Sequence, residues 1–386
     1  MVKKIKNSNS NYNYNYNYNI SLILVIIVIC LIIGLPTYFL TKNKQIIRNK
    51  FQILKPKDVP QGENMFVNIM DDQGNKLNVM LIAKPFMYDK DYEFFLKHKD
   101  KIIFLGISSY LEFPNKISNP LDVLDENLKK YKYKEITEGW IHCFRDPEQY
   151  FAPDMPLYFA SESDWTDCHL NKPDPSVEKI YDFIYICLKV DEKLDKCDDW
   201  ATYNKNWDLG KECLKVFCQD MKLKGLLVGR KDCPLPDKCS DLMTTTNMVS
   251  NDELKKYYNQ SRFIFVPNQA DASPRVLTEA LCCNIPCLVN YNILGGWKYV
   301  NQNTGEFFTD ASNVKSATQK ILNNIKKNQY TPRKYFLDNY GIPKSGARFK
   351  KFLYDTYGER LNIPKNEVKY LSIRYDKNNY EECKAE

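Results

Sequence analysis

From residue 177 onward, short apolar runs alternate with amphipathic stretches. "YDFIYICLKV" (181–190), "KGLLVGR" (224–230), "RFIFVP" (262–267) and "IPCLVN" (285–290) have strand length and little internal polarity, and "MTTTNMV" (243–249) is a further candidate. Between them, residues 206–221 carry apolar positions at helical spacing, with Asn206 as N-cap and Gly210 as a weak point. "SNDELKKYYNQ" opens on a capping box, Ser250 with Glu253, and places Leu254, Tyr257 and Tyr258 on one face. "SPRVLTEALCC" reads as a helix with Ser273 at N-cap and Pro274 as its first residue. Apolar strands separated by helices predict a parallel sheet covered on both faces, a Rossmann-like domain over residues 177–361. Its end includes the helical segments 312–327 and 345–361.

The first half is less regular. Runs at 75–86, 101–113 and 155–163 predict a small α/β unit over 61–170, joined to the second by the linker "NKPDPS" (171–176). The fold class expected is α/β with two Rossmann-type domains, the N-terminal one reduced. Residues 41–60 read as a polar stalk and 362–386 as a tail, with one strand-like run, "EVKYLSIRY", of no assigned use.

Ahead of the stalk, Ile20 to Leu40 is 21 residues without a charge, enough for a transmembrane helix. A cleaved signal peptide is the alternative, weakened by the length of the run and the lack of a small-x-small cleavage site. The expectation is therefore a single-pass membrane protein. Lysines and arginines are nearly balanced across the run, so its orientation stays open. Residues 1–19, with their Asn-Tyr repeats, contain too few aliphatic residues for a core and are expected to be disordered.

The net charge of +7 is spread among interleaved acids and bases, which argues against nucleic acid as a partner. Thirteen cysteines form no C-x-x-C pair, and the three histidines are scattered, so no zinc signature arises. Cys233 and Cys239 flank a proline-rich loop and are able to bridge if their compartment is oxidising, which the sequence leaves open. Asp71-Asp72 and Asp198-Asp199 lack spaced-ligand patterning and read as solvated acids.

The chemistry concentrates in "PNQADASPRVLTEALCCNIPCLVN" (267–290). Ligands of open α/β sheets bind beyond the carboxyl ends of the strands, where residues 268–274 fall. The following helix start offers free N–H groups to a phosphate. Arg275 in that first turn opposes the helix dipole, which points to an anionic partner. Asp271 would repel a phosphate and so faces sugar hydroxyls; Glu279, eight residues on, is able to accept a ribose diol. Together, "DASPRVLTEAL", "CNIPCLVN", "GGWKYV" and "NTGEFF" resemble the C-terminal domain of retaining GT-B glycosyltransferases, the glycosyl transferases group 1 family.

That resemblance implies that Asp271 contacts the donor hexose and Glu279 the nucleotide ribose, the pair on which catalysis depends. It places amides near Ser273 and Arg275, and the Gly295-Gly296 loop, beside the donor, with Lys189 and Lys205 as basic groups. It further implies retention of configuration, no metal and no cofactor. Ala272 and Pro274 stand where the family has glycines, and Asp271 where it has Glu. His142 is a further candidate, facing the donor from the first domain; Trp297 and Tyr299 are read as packing beneath the loop. The function expected is a membrane-anchored glycosyltransferase using a nucleotide-sugar donor, its acceptor a glycan, protein or lipid. The alternative is an inactive sugar- or nucleotide-binding scaffold of the same descent.

Overall fold

Three strands of the first half lie where the apolar runs placed them, and the pattern of pairing explains those it missed. In the computed structural model, which describes residues 51–109, 113–114, 130–189, 197, 200–373 and 383, the strands are β1 (Phe66–Asp71), β2 (Lys76–Ile82), β3 (Ile103–Ile107), β4 (Trp140–His142) and β5 (Leu157–Phe159). β1 and β2 form an antiparallel hairpin, while β2 to β5 run parallel in simple succession. The residues before Phe51, including the apolar run 20–40, lie outside the described residues. No helix among the described residues is long and apolar enough to cross a membrane.

The hairpin turn corrects the reading of Asp71 and Asp72 as solvated acids: both are buried. Asp71 accepts the Gln73 and Asn75 N–H groups at 2.9 and 2.7 Å, an Asx-type arrangement that builds the turn. Asp72 accepts the Lys369 N–H at 2.6 Å, from the far end of the chain. Asp198 and Asp199 lie outside the described residues.

The second half contains β6 (Tyr181–Ile186), β7 (Gly225–Val228), β8 (Met243–Thr246), β9 (Ser261–Val266), β10 (Cys287–Asn290) and β11 (Gly305–Phe308). Its sheet is parallel throughout, in the order β11-β10-β9-β6-β7-β8. This is the doubly wound order, and its strand sequence reverses between β6 and β9. Side-chain alternation gives the two faces different chemistry. Ile184, Ile186, Leu226, Val228, Ile264 and Val266 pack on one face under the helices Asn251–Gln260 and Arg275–Cys282. Phe183, Tyr185, Phe263, Phe265 and Phe308 pack on the other with Trp207 and Phe217. Burial on both faces is why these strands read as continuous apolar runs.

A last strand, β12 (Leu371–Ser372), lies in the "EVKYLSIRY" run and pairs antiparallel with β1. The first sheet is therefore completed by the chain's C-terminal segment, in the order β12-β1-β2-β3-β4-β5. The helix Ile342–Tyr357 carries the chain back, with Phe349 and Phe352 against Tyr158 and the Tyr357 hydroxyl donating to the Glu138 carbonyl at 2.6 Å. Arg360 and Glu138 form a two-pronged ion pair in the same region.

Three disulfides, Cys168–Cys383, Cys197–Cys233 and Cys218–Cys239, cross-link the described chain. Cys233 and Cys239 each bridge elsewhere and not to one another. Their flanking loop is held to two other segments, a connectivity that spacing along a sequence does not reveal.

Candidate functional site

Strand order reverses between β6 and β9, and beyond their carboxyl ends lie Lys189, Lys205 and the turn that carries Asp271. β9 ends at Val266, and the turn 267–274 carries Asp271, which is 7% exposed. Its Oδ2 accepts Lys205 Nζ at 2.6 Å and Asn268 Nδ2 at 2.7 Å. Both bonds fall on the same oxygen, so Oδ1 carries no hydrogen bond from the described residues. Lys205 ends the short helix Trp200–Lys205, and its carbonyl accepts the Tyr185 hydroxyl of β6 at 3.2 Å. The pair thus joins elements on either side of the switch point. Lys189, three residues beyond β6, is half-buried.

The glycine loop lies against the same turn. Gly295 donates its N–H to the Asp271 carbonyl at 2.9 Å, and a Cβ there would lie 1.9 Å from the Ala272 carbonyl oxygen. Gly296 adopts φ +80°, with Pro274 directly opposite. Gly295 is therefore required by close backbone approach, and Gly296 by its positive φ and the Pro274 ring against it.

The helix after the turn begins at Arg275, with Pro274 in the N-cap place at ψ 87°, one residue later than the sequence predicts. Ser273 does not cap it. Its Oγ meets Ser163 Oγ at 2.9 Å and accepts the Ser163 N–H at 3.1 Å, a bond to the first half of the chain. Ala272 likewise packs into the core of the first sheet.

Arg275 and Glu279, one helical turn apart, line a cavity of about 380 Å³ with Asp167, Asn171, Lys255 and Tyr258. Glu279 Oε2 accepts the Tyr258 hydroxyl at 3.0 Å, which fixes the carboxylate while leaving it on the cavity wall. Asp271 and Glu279 therefore sit in two successive clusters along one helix, the first before its N-terminus and the second in its second turn.

His142 ends β4, 5% exposed among Phe144, Phe151 and Phe159, with no partner on Nδ1. Burial, then the charge of Lys298, pushes its pKa down to about 4. In the unfolded chain, near pH 6.5, this imidazole takes up its proton first. The stabilisation from keeping it neutral is thus complete above pH 6.5 and is lost as pH falls from 6.5 to 4, amounting to roughly 3 kcal/mol. We expect His142→Phe to lose stability less steeply than wild type between pH 7 and pH 4.5 in urea denaturation; parallel profiles would show that His142 titrates normally.

One network escaped sequence reasoning. Lys298 Nζ lies 2.6 Å from Asp164 Oδ2, with side chains 8% and 4% exposed. The Tyr299 hydroxyl bonds Asp164 Oδ1 and also meets Ser161 Oγ at 2.9 Å. The Asp164 carbonyl accepts Ser345 Oγ at 2.8 Å and the Gly341 N–H at 2.9 Å. Asp164 so links the first half, the glycine loop and the C-terminal helix. Its only sequence signal was the lysine inside "GGWKYV". Trp297 and Tyr299 do pack beneath the loop, Trp297 donating its indole N–H to the Cys143 carbonyl at 3.1 Å. Among the described residues, Cys168, His169 and Cys383 lie close enough to share a metal ion, but the two cysteines are joined to each other.

With this geometry established, the comparisons with known proteins fall on the same segment. Residues 239–338 match the family model "Glycosyl transferases group 1", a span containing Asp271, Glu279 and both loop glycines. Sucrose-phosphate synthase from Thermosynechococcus elongatus is similar in structure, with TM-score 0.51 and 14% identity, over 68% of this chain and 69% of that one. TarM is similar with TM-score 0.51 and 14% identity, over 75% of this chain and 56% of that one. The chain therefore spans little more than half of TarM. No curated protein matches it by sequence. The two α/β sheets, the second doubly wound and the first in simple succession, give a GT-B-like fold, with a glycosyltransferase group 1 segment in the second half.

Proposed function

We propose that this protein is a membrane-anchored glycosyltransferase that moves a sugar from a nucleotide-sugar donor to an acceptor, with retention of configuration and without a metal. The observation that carries the reading is Asp271, held through one oxygen by Lys205 and Asn268 at the switch point, its other oxygen free of hydrogen bonds from the described residues. In such a transfer the sugar carbon gains positive character as negative charge grows on the departing diphosphate. Asp271 Oδ1 orients a donor-sugar hydroxyl. Lys205, Lys189 and Arg275 stabilise the leaving group, and Glu279 accepts the ribose diol in the adjoining cavity.

A second reading, an inactive nucleotide-binding scaffold, draws on the turn itself. Ser273 is bonded to Ser163, Ala272 is packed in the first core, and Pro274 has no N–H to offer a phosphate. The two readings separate on the full chain in detergent, tested with a panel of nucleoside diphosphates and nucleotide sugars. Transfer predicts a rise in melting temperature with one base, lost in Glu279→Ala, together with slow release of sugar from the matching donor. Stabilisation without release across the panel supports the scaffold, and no stabilisation by any nucleotide removes the donor site.

The anchor is the run 20–40, and we place the folded part on the oxidising side of the membrane. The support is the three disulfides, which persist in secretory and extracytoplasmic compartments. Thiol labelling of the denatured full chain should show six more reactive cysteines after reduction than before. Equal labelling would place that part on the reducing side.

A further inference from the structure

The loop after β4 sends Arg145 across to the glycine loop, where its guanidinium lies against two aromatic rings. The guanidinium carbon is 4.6 Å from the centre of the Tyr291 ring and 4.9 Å from that of Trp297. The stack continues on both sides, with Phe307 edge-on to Tyr291 at 5.5 Å and Phe159 stacked on Trp297 at 5.4 Å. Trp297 is fixed by its indole hydrogen bond to Cys143, one residue from His142. It stands two residues beyond Gly295, which holds the Asp271 carbonyl, so the stack borders the Asp271 turn.

Arg145 is exposed, and none of its N–H groups meets an acceptor among the described residues. Two rings within 5 Å of the guanidinium carbon restrain its orientation. Its N–H edge stays open, a fork of donors matched to two oxygens of one anion. Tyr291 and Phe159 are 50% and 42% exposed, leaving aromatic surface beside that fork for the apolar face of a sugar ring. An anion on a sugar satisfies both features at once.

We propose that Arg145, Tyr291 and Trp297 form the acceptor subsite and that the acceptor is an acidic saccharide, a sugar carrying a carboxylate or a phosphate. This rests on the transferase reading for the word acceptor, but the binding site stands on its own geometry. The competing explanation is a latch, in which Arg145 serves only to hold the first half against the second.

The test uses the full chain in detergent and ligand-observed saturation-transfer NMR. The probes are methyl glucuronide, glucose 6-phosphate, methyl glucoside and inorganic phosphate. Wild type should bind one or both acidic sugars at least about tenfold more tightly than methyl glucoside or inorganic phosphate, the factor expected when a forked hydrogen bond is lost. Which acidic sugar binds distinguishes a carboxylate from a phosphate as the anion. Arg145→Gln should abolish this binding and Arg145→Lys should weaken it about tenfold, because an ammonium ion cannot form the fork. In both variants the melting temperature and its rise with nucleotide should be unchanged.

Equal binding of acidic and neutral sugars, or undiminished binding by Arg145→Gln, overturns the proposal. Binding of inorganic phosphate as tight as that of glucose 6-phosphate reduces the site to a simple anion site and also overturns it. A fall in melting temperature in Arg145→Gln with no acidic sugar bound by wild type establishes the latch instead. Failure of the donor reading looks different: acidic sugars bind through Arg145 while no nucleotide stabilises the protein.

Discussion

Replacing Asp271 with asparagine should lower sugar transfer about 10²- to 10³-fold, the scale seen when one preorganised polar group is removed from an active site. The substitution keeps the shape of the side chain, and Asn268 and Lys205 retain an oxygen to bind. What changes is the second atom: the free oxygen becomes an amide N–H₂, a donor where a sugar hydroxyl needs an acceptor. Lys205 also loses its counter-charge. Its side chain is 21% exposed, so solvent screens the loss, and the stability cost should stay near about 1 kcal/mol. Steady-state kinetics with the donor chosen by the stabilisation panel should show a fall in kcat with little change in KM. The melting shift with nucleotide should survive, because Glu279 and its cavity are untouched. A variant that transfers at the wild-type rate would reduce Asp271 to a turn-forming acid.

Replacing Lys298 with methionine should destabilise the protein by about 3–5 kcal/mol, the range for removing one partner of a buried ion pair. Methionine fills much of the same space, so little of the loss comes from packing. The cost lies in Asp164, whose carboxylate stays buried with, among the described residues, the Tyr299 hydroxyl as its remaining hydrogen-bond partner. Because Asp164 also receives bonds from Gly341 and Ser345, the loss should extend to the contact with the C-terminal helix. Urea denaturation of Lys298→Met, Asp164→Asn and the double variant measures this directly. The double variant should lose less than the sum of the singles, since each alone strands the other's partner. A single-variant loss below about 1 kcal/mol would show that the pair is solvated in the folded protein.

The second half was legible in the sequence because its strands are sheathed on both faces. "YDFIYI" and "RFIFV" have almost no polar interruption, and the helices between them carry their own caps, such as Ser250, whose hydroxyl accepts the Glu253 N–H at 3.2 Å. The first half was harder for physical reasons. β1 contains Asn68, a buried amide that bonds back to Gly62 and Pro60 and interrupts the apolar pattern. β4 is only three residues long, too short for periodicity to register. β12 lies in a run that reads as strand-like, but its partner, β1, is some three hundred residues away, so nothing local marks its place in the sheet.

The same distinction holds for the site. Lys205 and Asp271 are separated by 66 positions, and the family resemblance placed both near the donor before the structure paired them. Ser273 looked like a cap because the residue type and the following proline fit one; a hydroxyl on Ser163, 110 positions earlier, took it instead. Lys298 lay inside "GGWKYV", but its pairing with Asp164 gave no signal, since an acid and a lysine 134 positions apart are ordinary surface residues until a fold buries them.

The place of β12 also bears on how the molecule is made. Synthesis delivers β1 to β5 first, yet the outer edge of β1 has its neighbour only after Leu371 and Ser372 have emerged. Until then the nascent first half holds an open row of backbone donors and acceptors, the kind of edge that recruits strands from other chains. The first sheet therefore gains its last strand only once nearly the whole chain has been made.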